Sequence, residues 1–146
     1  MATERRAEVT WQGDLMSGSG TIDRVGSGAF GPLHVSWPAR SEEQSGGKTS
    51  PEELIAAAHA SCFSMALAHG LAQAGTPPER LATAAAVTFV PGTGITKIAL
   101  EVRGTVPGLE EAGFREAAEG AKADCPVSKA LAGVPEITLV VRLEDV

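Results

Sequence analysis

The chain has 146 residues, of which 43% are hydrophobic and 21% are charged, a composition typical of one soluble globular domain. Its formal net charge of −6 disfavours nucleic acid and anionic membranes as partners. The N-terminal residues MATERRAEV carry charges that no apolar core follows, and no continuous apolar run reaches the roughly 18 residues that span a bilayer. We therefore expect a single domain over residues 1–146, located in the cytoplasm.

Three short strands are predicted in the first third of the chain. Alternating residues indicate strands at 7–11 and 33–37, and glycine- and serine-rich turns flank a further strand at 21–25. Short strands joined by turns predict an antiparallel meander. The polar stretch 38–48, which begins close to Arg40, predicts an exposed loop.

The longest predicted element is a helix that begins at Pro51 and ends near Gly75. Ser50 is a favourable N-cap, proline suits the first helical position, and Glu53 completes a capping box. Glu52, the first acid of the pair, has no capping role. The helix body, LIAAAHASCFSMALAHGLAQAG, is apolar on almost all sides, which predicts burial of most of its surface.

The second half of the chain predicts a hairpin, two helices and a final strand. Cys125 precedes a proline that favours the first turn of a helix, so we expect Cys125 to be the N-cap of the second of these helices. The overall order is βββ-α-ββ-αα-β, an α+β layout. The predicted elements are strands at 81–90 and 95–106, helices at 109–122 and 126–132, and a strand at 136–143.

The two cysteines, Cys62 and Cys125, are the first candidates for chemistry. A cysteine in a cytoplasmic protein is most often a small buried apolar residue, and this interpretation applies to both. Cys125 has the stronger local case for reactivity, because a helix N-terminus stabilises a thiolate. Cys62 lies in mid-helix among alanines, where burial raises a thiol pKa. A reactive Cys62 would therefore need a positive charge from elsewhere.

Because an α-helix rotates by about 100° per residue, His59 and His69 are expected on the same side of the long helix as Cys62. They are consistent with a thiol–imidazole pair, with metal ligands, or with ordinary core and surface histidines. Cys62 and His69 are about 10.5 Å apart along the axis. His59 and Cys62 supply only two of the three or four ligands that zinc needs, which disfavours a metal site. The glycine clusters match neither a phosphate loop nor a dinucleotide fingerprint.

The strings SPEELIAAAHASCFSMAL and ADCPVSKAL resemble the OsmC/Ohr family of thiol peroxidases. The resemblance implies that Cys62 is the peroxidatic thiol, Cys125 the resolving thiol and Glu52 the catalytic carboxylate. The Ohr branch takes its catalytic arginine from a Gly-Arg motif near the first strands, where this chain has no arginine until Arg24. The OsmC branch takes it from an F-N-T-R string. The string WPAR, which ends at Arg40, occupies that place, so the chain resembles the OsmC branch.

This resemblance implies an OsmC-like fold in which an antiparallel sheet packs on the long central helix of an intertwined homodimer. It implies a peroxidase of oxidative or osmotic stress defence. In the implied cycle, Cys62 attacks a hydroperoxide and becomes a sulfenic acid, and Cys125 condenses with it to a disulfide. An external dithiol, for which the resemblance implies a lipoyl type, then reduces the disulfide. No cofactor and no metal are implied. The apolar surroundings of Cys62 favour organic hydroperoxides over hydrogen peroxide.

Arg40 and Glu52 have roles that fit this chemistry. A fixed guanidinium stabilises the charge that develops on the leaving oxygen, and Glu52 would hold it in a bidentate pair. Glu52 and Cys62 are about 15 Å apart along one helix and about 80° apart around it. We therefore expect Glu52 or Arg40 to be contributed across a dimer interface. The alternatives are a redox sensor or binding module that uses the same cysteines, and a structural domain with inert thiols.

Overall fold

The computed structural model describes residues 1–145, and the predicted order of elements is confirmed with one additional short helix. The elements are β1 (Ala7–Gln12), β2 (Ser19–Val25), β3 (Leu33–Val35), α1 (Trp37–Ser41), α2 (Pro51–Gln73), β4 (Arg80–Val90), β5 (Gly94–Thr105), α3 (Glu111–Asp124), α4 (Pro126–Ala130) and β6 (Glu136–Leu143).

The chain divides into two compact units, Met1–Leu54 and Ile55–Val146. The boundary falls inside α2, which is one continuous helix. The expectation of a single domain over residues 1–146 stays a prediction.

The first unit contains the predicted antiparallel meander, with strand order β1-β2-β3. Gly20 of β2 lies opposite Trp11 on one side and Val35 on the other. A Cβ atom at this position would lie 2.7 Å from the Trp11 ring and 2.8 Å from a Val35 methyl group, so only glycine lets these side chains approach the strand.

The predicted loop at 38–48 is wrong in its first residues, because these residues form α1. Ser36, which the sequence placed in a strand, is the N-cap of this helix, and its hydroxyl accepts a hydrogen bond from the Ala39 N–H at 3.2 Å. Pro38 lies in the first turn, where its missing N–H costs nothing. Arg40 therefore lies on a short helix and not in a loop.

The second unit contains a sheet of order β4-β5-β6. β4 and β5 form the predicted antiparallel hairpin, whereas β6 runs parallel to β5. The prediction of an antiparallel sheet is thus correct for the hairpin and wrong for β6. Two helices, α3 and α4, connect β5 to β6 and return the chain to the end of the sheet where a parallel strand begins.

The core of the second unit lies between α2, α3 and this sheet. Phe63, Leu67 and Leu71 recur every four residues on α2 and form one buried stripe of the helix. Phe114 of α3 packs against the position where Gly104 of β5 has no side chain. The buried core side chains are Phe63, Leu67, Leu71, Ile98, Leu100, Val102, Val106, Phe114, Ala118, Ala121 and Val141.

α2 differs from its predicted environment. The sequence predicted burial on most sides, but only 22% of the most apolar 18-residue window of this helix is buried within the chain. By length and composition alone α2 could cross a membrane, a test that the central helix of a soluble protein also passes. Part of its apolar surface outside the buried stripe, including Met65, therefore remains exposed in a single chain.

Candidate active site

Cys62 is held in the middle of α2, whose start is capped. The Ser50 hydroxyl accepts a hydrogen bond from the Glu53 N–H at 3.1 Å, which confirms half of the predicted capping box. The Glu53 carboxylate accepts a hydrogen bond from the Thr49 hydroxyl at 2.8 Å. Cys62 is partly exposed in the single chain.

Cys125 lies at the junction of α3 and α4 and is the N-cap of α4, as predicted. Its N–H donates to the Ala121 carbonyl at 2.9 Å and completes α3, while its carbonyl accepts from the Lys129 N–H at 3.1 Å and begins α4. Cys125 is 0% exposed. Its sulfur can therefore be reached only by a group that is already inside the protein.

The two thiols are free and hydrogen-bonded to each other. Burial raises the pKa of the Cys62 thiol, and the hydrogen bond to Cys125 raises it further. The second effect arises because a protonated Cys62 donates to the Cys125 sulfur, and ionising it would bring two negative charges together. The Val127 N–H acts in the opposite direction but does not outweigh them.

Burial by itself would also raise the pKa of Cys125, but hydrogen bonds outweigh this effect and hold that pKa below its usual value. The donors are the Cys62 thiol, the N–H groups of Val127 and Ser128, and the Ser128 hydroxyl. Cys125 is therefore the more readily ionised thiol of the reduced pair, in agreement with its position at a helix N-terminus.

His59 and Ser128 adjoin this thiol pair. The sequence raised His59 only as a candidate thiol or metal partner, and it did not predict Ser128 as a site residue. The buried His59 ring lies on α2, and its Nε2 atom is 2.7 Å from the Ser128 hydroxyl on α4. Its Nδ1 atom has no hydrogen-bond partner among the described residues, so His59 does not form the thiol–imidazole pair considered above. Burial lowers the pKa of His59 and keeps the ring neutral. The spacing H-x-x-C and the serine of CPVS are the sequence signals that could have identified the two residues.

Arg40 and Glu52 form an ion pair in the first unit. The Arg40 Nε–H is shared between both carboxylate oxygens of Glu52, at 2.7 and 3.2 Å. The Glu52 side chain is 8% exposed and that of Arg40 is 32% exposed. A buried carboxylate needs such a partner, and it fixes the guanidinium in return.

The geometry of each unit indicates a different chemical capacity. In the second unit, a partly exposed thiol contacts a buried thiol that ionises readily, which is the arrangement that a reversible disulfide requires. In the first unit, a guanidinium is anchored on a carboxylate. Among residues 1–145, no group of three or more His, Cys, Asp or Glu side chains could hold a metal ion. His69 is exposed on α2.

Residues 44–140 match the family model described as OsmC-like protein. The chain is 40% identical over 148 aligned positions to Peroxiredoxin OsmC of Escherichia coli, and the alignment covers 99% of this chain and 100% of that protein. The same identity and coverage hold for Peroxiredoxin OsmC of Shigella flexneri.

Solved structures resemble this fold over nearly the whole chain. An organic hydroperoxide resistance protein from Elizabethkingia anophelis has a TM-score of 0.69 at 23% identity, covering 99% of this chain and 100% of that one. An organic hydroperoxide resistance protein OsmC from Legionella pneumophila has a TM-score of 0.66 at 22% identity, covering 94% and 96%. At these identities the likeness concerns the fold.

Proposed function

Because the chain belongs to the OsmC-like protein family and is a cysteine-based peroxidase like its relatives named Peroxiredoxin OsmC, we propose that it reduces organic hydroperoxides through Cys62 and Cys125. The observation that carries this proposal is that the partly exposed Cys62 thiol interacts directly with the buried Cys125 thiol. One sulfur is accessible to a substrate and the other is buried against it, so a product formed on the first can be resolved by the second without a large movement.

The proposed cycle begins with the Cys62 thiolate, whose sulfur attacks one oxygen of the hydroperoxide. The O–O bond breaks, the alkoxide leaves and takes a proton to become an alcohol, and Cys62 becomes a sulfenic acid. The Cys125 sulfur then attacks the Cys62 sulfur. The S–O bond breaks, the departing hydroxide takes a proton to become water, and the disulfide forms. An external dithiol reduces the disulfide and is itself oxidised.

The Arg40–Glu52 pair supplies the positive charge that Cys62 needs in this cycle. A thiol with an ordinary pKa of about 8.5 is only a few per cent ionised at neutral pH, and the burial of Cys62 and its contact with Cys125 oppose ionisation further. An arginine close to the sulfur favours the thiolate and stabilises the charge that develops on the leaving oxygen. Because Arg40 and Glu52 are hydrogen-bonded to each other within one chain, we propose that they act together.

The proposed assembly is a homodimer in which the Arg40–Glu52 pair of one chain serves Cys62 of its partner. The exposed apolar surface of α2 supports this assembly, since its own chain buries only 22% of the most apolar window of that helix and leaves Met65 72% exposed. The proposed substrates carry an alkyl group, because apolar side chains flank Cys62 on α2. Burial of the alkyl group against these side chains is favourable. The proposed setting is the cytoplasm under oxidative or osmotic stress, with a dithiol of lipoyl type as reductant and no bound cofactor.

The test supplies the reduced protein with cumene hydroperoxide, follows both thiols, and then adds dihydrolipoamide. We expect one disulfide per chain, repeated turnover with the dithiol, and loss of hydroperoxide consumption in Cys62→Ser. In Cys125→Ser we expect Cys62 to pass beyond the sulfenic acid to sulfinic and sulfonic acids, because no resolving thiol intercepts it.

Each contrary result points to a different conclusion. Thiols that stay reduced would contradict the proposal and leave a structural domain with inert cysteines. Stoichiometric oxidation without turnover by any dithiol would contradict the enzymatic cycle and favour a redox sensor. Faster consumption of hydrogen peroxide than of cumene hydroperoxide would contradict the proposed substrate class alone.

A further inference from the structure

Four side chains of the second unit form a continuous hydrogen-bonded series that ends at the exposed thiol. His59 Nε2 lies 2.7 Å from the Ser128 hydroxyl. The hydroxyl of Ser128 also contacts the Cys125 sulfur, and that sulfur contacts Cys62. The series connects α2 to α4 across residues far apart in sequence, and His59 and Cys125 are both 0% exposed. The groups are therefore shielded from water at every position except Cys62.

A role as a simple core residue accounts poorly for His59. Its Nδ1 atom is buried without a hydrogen-bond partner among the described residues. A polar atom in that condition is less favourable than an apolar side chain of similar shape, because it has lost its water and gained nothing. Its Nε2 atom, in contrast, makes a buried hydrogen bond to the Ser128 hydroxyl, which also interacts with the resolving thiol. The contact that Nε2 makes with the Ser128 hydroxyl is therefore the part of His59 that needs a functional explanation.

The hydrogen-bonding capacity of a neutral imidazole and one hydroxyl decides where the protons lie. A serine hydroxyl has a single proton, and that proton can point to the histidine or to the sulfur but not to both. If Nε2 carries the ring proton, it donates to the Ser128 oxygen, and the hydroxyl proton is free to donate to Cys125. Nδ1 is then the unprotonated nitrogen, and it has no hydrogen-bond partner among the described residues.

We propose that His59 is a positioning residue that orients the Ser128 hydroxyl toward Cys125 and thereby sets the rate of the resolving step. The inference rests on the proposed function, in which Cys125 attacks the Cys62 sulfenic acid. In that step the Cys125 thiolate forms the S–S bond, the S–O bond of Cys62 breaks, and hydroxide leaves and is protonated to water. The hydroxyl of Ser128 holds the thiolate before the attack, and His59 prevents that hydroxyl from turning away.

The experiment separates the two oxidation steps by rapid mixing of the reduced full-length protein with cumene hydroperoxide. Hydroperoxide consumption reports the step at Cys62, and the mass of the quenched, alkylated protein reports disulfide formation. In Ser128→Ala and His59→Leu we expect disulfide formation to slow roughly 3–10-fold. A smaller fraction of Cys125 is then ionised, but each thiolate is a stronger nucleophile because its pKa is higher, and this partly offsets the loss. The step at Cys62 does not slow, and dimedone traps more of the sulfenic acid.

Two further variants distinguish positioning from packing. His59→Gln keeps an N–H close to the place of Nε2, so we expect it to restore most of the resolving rate that His59→Leu loses. His69→Gln is the matched control, because His69 lies exposed on the same helix, and its rate should equal that of the wild type. The chain with both His59→Leu and Ser128→Ala should be no slower than Ser128→Ala alone, since the two residues act as one unit.

The proposal is overturned if Ser128→Ala and His59→Leu resolve as fast as the wild type, or if His59→Gln is as slow as His59→Leu. A second measurement needs no hydroperoxide: the thiolate absorbance of Cys62→Ser is followed against pH with and without Ser128→Ala. We expect the midpoint of Cys125 to move to higher pH when the hydroxyl is lost, and an unchanged midpoint would overturn the proposal. Hydroperoxide that leaves both thiols reduced would instead overturn the proposed function alone.

Discussion

Arg40 is the residue on which the proposed first step depends most. It lies in the last turn of α1, and Glu52 lies in the first turn of α2, so each charge occupies the helix end where the dipole favours it. We expect Arg40→Met to slow the oxidation of Cys62 roughly 10²–10³-fold, as the loss of one preorganised donor to developing negative charge does elsewhere. Arg40→Lys should recover only part of this rate, because an ammonium lacks the planar fork. Stopped-flow consumption of cumene hydroperoxide measures both.

Arg24 provides the matched control for this measurement. It also pairs with a carboxylate, that of Glu8 at 2.7 Å, but its side chain is 73% exposed. Exposed ion pairs of this kind contribute little to stability, so Cys62 in Arg24→Met should be oxidised as fast as in the wild type. A large loss in Arg24→Met with a normal rate in Arg40→Met would contradict the assignment of the catalytic arginine.

His59 connects the site to the pH dependence of stability. Burial lowers its pKa, so the folded chain keeps the ring neutral where the unfolded chain, with a pKa of about 6.5, binds a proton. The unfolded state therefore gains protons as the pH falls below about 6.5, and the free energy of unfolding falls with it. On acidification through this range, we expect the free energy of unfolding of His59→Gln to fall less than that of the wild type. The difference should be at most about 1.4 kcal/mol per pH unit.

Urea denaturation at about pH 7.5 and about pH 5.5 measures this difference. Both proteins also lose carboxylate contributions on acidification, so the comparison between variants isolates the histidine. His69→Gln serves again as the control and should follow the wild type. Equal losses in His59→Gln and the wild type would mean that His59 is protonated in the folded state.

At the scale of elements, the start of α2 positions both the ion pair and the thiol helix. Ser50→Ala removes the hydroxyl that accepts from the Glu53 N–H, and we expect it to lower the free energy of unfolding by about 1 kcal/mol. Ser61→Ala is the control on the same helix, because the Ser61 hydroxyl only donates back to the Ala57 carbonyl at 2.7 Å. Alanine there should be neutral or slightly stabilising. Equal destabilisation by both variants in thermal unfolding would contradict the capping role.

The elements that the sequence predicted well are those whose signals are local. α2 has a serine, a proline and a glutamate at its start, and the structure begins it at Pro51 as expected. The hairpin of β4 and β5 has a glycine- and proline-rich turn between alternating strands. The sequence pattern does not predict α1, although Ser36 and Pro38 are ordinary helix-start residues, because the alternation of LHVSW continues to Trp37. The parallel pairing of β6 has no local signal, since its alternation fits either direction.

The residues of the candidate site also differ in whether a local sequence signal predicts them. Cys62 and Cys125 were identified from strings that surround each residue, and the structure adds the contact between their sulfurs. The hydrogen bond between His59 and Ser128 joins residues on two helices distant in sequence. No spacing rule connects such residues, because the distance between them depends on how the helices pack. The roles of Arg40 and Glu52 stay predictions, and their mutual contact gives those predictions a geometric basis.

At the scale of the whole molecule, α2 has more apolar surface than its own chain covers. Met65 is 72% exposed near the middle of this helix, and such a surface is characteristic of an interface. We expect Met65→Lys to raise the dimer dissociation constant at least about tenfold, since a charge must then be desolvated on association. Analytical ultracentrifugation measures the constant. Val90→Lys, at an exposed apolar position at the end of β4, should leave it unchanged, and a monomeric wild type with full activity would contradict the dimer.

A shared site has a consequence that no single-chain site can produce. If Arg40 and Glu52 of one chain serve Cys62 of its partner, a dimer of one Arg40→Met chain and one Cys62→Ser chain contains one complete site. The first chain supplies the thiols and the second supplies the guanidinium. Random mixing of equal amounts makes half of the dimers mixed, each with one of two sites intact, so about a quarter of the wild-type activity should return.

The measurement mixes the two inactive variants, allows the subunits to exchange, and follows cumene hydroperoxide consumption over time. The recovered activity should rise at the rate of subunit exchange, and cross-linking the dimers before mixing should prevent it. A matched mixture of Arg40→Met with an Arg40→Met and Cys62→Ser double variant should stay inactive, because neither chain then supplies the guanidinium. If the first mixture also stays inactive after complete exchange, each chain must complete its own site, and the closure of Arg40 over Cys62 would have to occur within one subunit.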